Sequence, residues 1–146
     1  MRFEEGELQQ RINAVDEIVK NAALLSNITT QAELNQALPE LMASLGNFAQ
    51  ADRAYLFGLV TGSDHVLQMT HEWCAENVRP TFAEMQNIAF NDIPNWYPHL
   101  SNGEAIHSPN WDAEKENVPE EYALFDGQGI HSLIVIPLLA RKKLKG

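Results

Sequence analysis

Cysteine is nearly missing from this sequence. Cys74 stands alone, so the chain forms no internal disulfide and no cysteine-based zinc site. Basic residues are scarce: 10 Lys and Arg stand against 20 Asp and Glu, for a net charge of -10. Four of those ten, Arg141, Lys142, Lys143 and Lys145, crowd the last six positions, so the rest of the chain is more acidic than the average and repels a phosphate backbone. No nucleic-acid partner is therefore expected, and the basic tail reads as the solvated turn of a hairpin. No apolar run approaches the roughly 18 residues that a membrane span needs, and the polar, acidic start does not resemble a signal peptide. No membrane partner and a reducing, cytoplasmic setting are expected. There is no internal repeat, low-complexity tract or interdomain linker.

What is present suits one folded domain: 146 residues, 45% hydrophobic and 21% charged. The run Gly129–Leu139, GIHSLIVIPLL, carries no Asp, Glu, Lys or Arg and is apolar at successive positions from Leu133 to Ile136. It predicts a strand covered on both faces. Pro137 cannot donate to a ladder and belongs near the strand end or at a bulge.

Near the start, Leu8, Ile12, Val15, Val19 and Ala22 are spaced 4, 3, 4, 3, a heptad seam flanked by Glu7, Arg11, Asp16, Glu17 and Lys20. Two readings stay open: a helix lying on a sheet, its stripe widened by Ile18 and Leu25, or a helix that pairs with its copy in a homodimer. Thr30 and Glu33 have capping-box spacing and open a helix carrying Leu34, Leu38, Leu41, Met42, Leu45 and Phe48. Pro39 is expected to kink or split it. Residues 52–60 and 66–74 predict a hairpin turned at Thr61–Asp64, with Leu67, Met69, His71 and Trp73 on one strand face. Pro80–Glu84 is a second capping signature, opening a short helix through Met85 and Ile88. A polar, aromatic, proline-broken region follows from Phe90 to Pro119, with a short strand expected over Glu104–His107. Pro119 suits the first turn of a helix running to Phe125, stopped by Gly127.

This order resembles a GAF domain, a small α/β sensor module of signalling proteins. The resemblance is carried by Ala51–Phe57, His71-Glu72-Trp73-Cys74, Ile93-Pro94-Asn95-Trp96, Leu100 with Gly103-Glu104, Gln128–Leu133 with Pro137-Leu138, and Leu144-Lys145-Gly146. Order and spacing carry it rather than any one motif. It covers roughly 27–146, with residues 1–26 as an N-terminal linker or signalling helix. It implies an α/β (α+β) fold: a GAF-like, PAS-related central antiparallel sheet with helices on one face and a helix-and-loop lid over a pocket on the other. The family places a last strand centrally, between the counterparts of 52–60 and 132–139, followed by a helix. The sequence is accordingly expected to be a fragment of a longer protein, or to have that gap filled by another copy. The variant is similar to bacterial GAF domains that precede GGDEF (cyclic di-GMP-making) or histidine kinase output domains.

The resemblance implies a non-catalytic regulatory module that binds a small molecule between sheet and lid, or dimerises, to control an output domain. Trp96, His107 and Trp111 are the candidate walls and Tyr55, Phe57, Trp73, Ser132 and Ile134 the candidate floor. The identity of the ligand or of any cofactor is not implied. The competing reading is a thiol-dependent redox enzyme or sensor using Cys74. A reactive thiolate needs a nearby base and an electropositive setting, whereas Glu72 and Glu76 flank this one. The GAF lineage that reduces free methionine sulfoxide resembles a multi-cysteine relay, which one thiol cannot run. The five histidines (65, 71, 99, 107 and 131) lack metal-ligand spacing.

Overall fold

The computed structural model describes the backbone of residues 2–146 and side chains from Glu5 onward. Among the described residues the fold is mixed α/β, with four α-helices and small antiparallel sheets. The chain divides into two compact units. One comprises the chain up to Tyr55 with His71–Pro80; the other comprises Leu56–Thr70 with Thr81–Gly146.

In the first unit α1 (Arg2–Ser26) and α2 (Gln31–Phe48) pack together. Thr30 starts α2 in extended conformation, its hydroxyl accepting the Glu33 amide at 3.1 Å. The Glu33 carboxylate reaches back to the Thr29 amide at 2.8 Å, one residue earlier than the expected box partner. That backbone bond holds the Glu33 carboxyl below its ordinary pKa. Pro39 lies inside α2, which runs through it unbroken, so of the expected kink or split the split does not occur. Ala37, Met42 and Gly46 are buried along α2, and the Trp73 ring lies against Gly46, where a Cβ would run into it.

The hairpin of β1 (Arg53–Leu59) and β2 (Val66–Cys74) contributes to both units. Its ladder ends are Val60 N–H to the Val66 carbonyl and Ala75 N–H to the Asp52 carbonyl, each 2.8 Å. Gly62, at φ +84°, supplies the left-handed turn position, and the Ser63 hydroxyl accepts the His65 and Val66 amides. Leu67 and Met69 are buried on one strand face, as the alternation predicts.

In the second unit the expected helix through Met85 and Ile88 is instead a single 3₁₀ turn at Phe82–Glu84 followed by β3 (Ile88–Ala89), which pairs with β2. The Met69 amide bonds to the Met85 carbonyl at 2.9 Å, so the β2 edge captures this segment as strand rather than helix. α3 (Tyr97–Ser101) follows, then β4 (Ile106–Ser108), two residues later than the strand expected from Glu104. α4 (Pro119–Leu124) begins at its proline as expected. β5 (Leu133–Val135) pairs antiparallel with β4, His107 opposite Ile134. β6 (Leu139–Ala140) and β7 (Lys143–Leu144) close on Arg141 and Lys142, both at positive φ, so the basic tail is a hairpin turn.

Two expectations are corrected here. The strands form three separate sheets, ordered β1-β2-β3, β4-β5 and β6-β7, rather than one central sheet. Pro137, lying between β5 and β6, ends the apolar strand after Val135, because it cannot donate to a ladder. Nor is that run covered on both faces: Leu133 and Val135 are half-buried, whereas Ile134 is 66% exposed and Ile136 68%.

Candidate functional site

The aromatic lid of the second unit is organised by Glu121. Its side chain is fully buried, and its carboxyl oxygens accept the Asn95 amide at 2.7 Å, the Trp96 amide at 3.0 Å and the Asn95 side-chain amide at 2.9 Å. The first turn of α4 thus clamps the turn that presents Trp96. The Trp96 ring packs 5.7 Å from both Trp111 and Phe125, and Trp111 stacks on Tyr122 at 5.4 Å. The Trp111 amide bonds to the His131 carbonyl at 2.8 Å, tying the cluster to the approach to β5. Tyr122 donates to Asp112 at 3.3 Å; desolvation, with Asp112 and Asp126 nearby, pushes its phenol above the ordinary value.

A recess of about 280 Å³ opens on this cluster, among Trp111, Tyr122, Phe125 and Ile130, with Asp112 and Asp126 in its lining. Its lining holds no basic side chain. Such a wall disfavours anions.

Of the residues expected to hold a ligand, the structure brings Trp96 and Trp111 into contact and buries both. His107 and Ile134 are cross-strand neighbours on the exposed face of β4 and β5. Ser132 is exposed and Phe57 half-buried in the same unit. Tyr55 and Trp73 are half-buried in the other. Ser108, on the buried face of β4, has a hydroxyl without a hydrogen-bond partner among the described residues. Sequence reasoning missed Glu121, since an acid in the first turn of a helix ordinarily faces solvent and offsets the helix dipole.

Cys74 is half-buried at the end of β2. Burial, and then the Glu72 carboxylate, push its thiol above the ordinary value, with Arg53 pulling weakly the other way. It is therefore held as the poorly nucleophilic thiol. His65 pairs with Asp64 at 2.9 Å and His99 with Glu104 at 2.7 Å. Among the described residues no three His, Cys, Asp or Glu side chains are arranged to hold a metal ion.

No family model matches the chain, and no curated protein matches it.

The second feature is α1. Asn21 is buried and Ala14, Glu17 and Leu24 are half-buried, the residues of one stripe, and Glu17 accepts from the Ser44 hydroxyl of α2. The apolar stripe points elsewhere. Leu8, Ile12, Val15, Val19 and Leu25 are all exposed, and Ile18 is 67% exposed. Of the two open readings, the one in which this stripe lies on a sheet is overturned, because the covered face of the helix is the one with Ala14, Glu17, Asn21 and Leu24, and the heptad seam is left open. No helix among the described residues is long and apolar enough to cross a membrane.

Proposed function

We propose that the chain is a non-catalytic regulatory module of the GAF type, which controls an attached output domain through self-association of α1. The observation that carries this reading is the exposed apolar seam at heptad spacing, a surface left open by the described residues of the protomer. A second observation supports the GAF topology. The Gly146 carbonyl accepts the Leu138 amide at 2.8 Å, while a Cβ on Gly146 would run into the Phe57 carbonyl of β1. Gly146, two residues past β7, therefore lies against both Leu138 and Phe57, where the family's last strand would enter.

Regulation by a small molecule is included in this reading. A ligand acts only through unequal affinity for two arrangements of the helices. The candidate contacts within the second unit are Trp96, His107, Trp111, Ser132, Ile134 and Phe57. A guest reaching Trp96 and Trp111 must push their packed rings apart. A thiol-redox enzyme using Cys74 is the less supported alternative, because burial and then Glu72 favour the protonated thiol.

Sedimentation velocity tests association: the wild type is expected to sediment as a dimer, and Val15→Asp with Val19→Asp as a monomer of unchanged circular dichroism. A wild type that stays monomeric through the micromolar range removes the function proposed for α1. Native mass spectrometry of gently purified protein tests the small-molecule component, a retained extra mass being the expected result.

A further inference from the structure

The α1 seam has a polarity of its own. Taking Ile12 and Val19 as the a positions puts Leu8, Val15 and Ala22 at d, Arg11, Ile18 and Leu25 at g, and Gln9, Asp16 and Ala23 at e. In a parallel, in-register pair, each g residue faces the e residue five positions later on the other helix. Arg11 then faces Asp16 of the second copy, twice by symmetry, and Ile18 faces Ala23, apolar against apolar. In an antiparallel pair g faces g and e faces e, so Arg11 meets Ile18 or Leu25, and Asp16 meets Gln9 or the other Asp16. Only the parallel arrangement matches the charges.

The structure leaves these groups in place for it. Arg11, Ile12, Val15 and Asp16 together line a shallow recess on the outward side of α1, and both seam residues among them are exposed. Arg11 holds one intrahelical partner, Glu7 at 2.7 Å, in an exposed pair. A guanidinium has five donors, so it reaches a second carboxylate without surrendering the first. Branched Ile12 and Val19 at a, with Leu8 at one d position, match part of the pattern that favours two strands.

We infer that α1 docks a second copy of this chain as a parallel, in-register two-stranded coiled coil, with Arg11 of each copy facing Asp16 of the other. This rests on the association proposed above and adds its orientation, which sets both following domains side by side at the same end of the coil.

Disulfide trapping in a Cys74→Ser background tests it. Leu8→Cys and Ala22→Cys are made separately, and each is treated with oxidised glutathione. The parallel coil is expected to cross-link each variant to its own copy, because like d positions meet in the same layer. A sedimenting dimer in which either variant fails to cross-link to itself overturns the parallel, in-register arrangement while leaving association intact. A protein that sediments as a monomer overturns both.

Charge exchange reads the same contact independently. Arg11→Glu is expected to weaken the dimer about tenfold, the loss of two attractive pairs and gain of two repulsive ones at exposed-pair strengths. Adding Asp16→Arg is expected to restore most of it. Failure of the double variant to recover, with helix content unchanged, overturns the Arg11–Asp16 contact.

Discussion

Gly46 is the residue at which α2 admits the Trp73 ring, since any Cβ there collides with the indole. Alanine at an ordinary helical glycine gains about 1 kcal/mol of helix propensity. Overpacking a fitted aromatic contact costs about 1–3 kcal/mol, so Gly46→Ala is expected to lower the urea midpoint. In a Trp73→Ala background the collision is gone and the same substitution should raise it. The sign reversal is a direct measure of coupling between the two sites, and a Gly46→Ala that stabilises the wild type would remove this contact from the account. Cys74 offers a pH prediction of the same scale. Its raised pKa means the thiolate, followed by ultraviolet absorbance or alkylation rate, emerges above the pH at which a free thiol ionises. Glu72→Gln should bring that onset down. The linkage follows: a thiol whose folded pKa is raised adds stability that is whole below the unfolded pKa and is lost as pH climbs through the folded one. A thiolate that forms early would instead revive the redox reading.

Among the elements, α4 is six residues long, too short to hold itself, and it stands because Glu121 anchors it to the Asn95–Trp96 turn. Glu121→Ala strands two amides in a site with no exposed surface, at a cost of about 2–4 kcal/mol. Glu121→Gln keeps the one oxygen that accepts both amides, sets its own amide against the Asn95 side-chain amide, and should lose about half as much. Tryptophan emission should shift to the red in the alanine variant as the tilted Trp96–Trp111 pair loosens; a loss no larger than that of a surface substitution would show the anchor to be incidental. The elements legible from the sequence were those fixed by local chemistry. Thr30 with Glu33, the Val60–Val66 turn, Pro119 and the Arg141-Lys142 turn each act within a few residues, and each marks an observed boundary. What depended on distant partners was not legible. Ile88 pairs with Leu67 because the β2 edge is open, and nothing in the 80–88 spacing says so. Ile134 reads as a buried strand residue, yet what covers a strand is decided elsewhere in the chain. The aromatic richness of the lid was visible in the sequence, while the closing of Trp96 on Trp111 was not, since composition does not say whether rings face a guest or one another.

For the whole molecule, the decisive quantity is where the α1 seam goes. An apolar stripe from Leu8 to Leu25 left in water has no counterpart to stabilise it among the described residues of the protomer, and the face toward α2, with Glu17 and Asn21 between Ala14 and Leu24, gives a smaller hydrophobic driving force in return. If a second copy covers the seam, folding and association are one equilibrium, and stability must depend on protein concentration. The free energy of unfolding the dimer, referred to fixed subunit concentration, should then rise by about 1.4 kcal/mol for each tenfold increase in protein, read as a climbing urea midpoint. Val15→Asp with Val19→Asp places two charges at consecutive core layers of the coil, where neither has a partner to offset its desolvation. The variant's midpoint should be lower and the same at every concentration, while its helix signal at low denaturant persists because α1 keeps its contact with α2. A wild-type midpoint that does not move with concentration means that the exposed stripe is closed by something other than this chain, and the regulatory role assigned to α1 would pass to that partner.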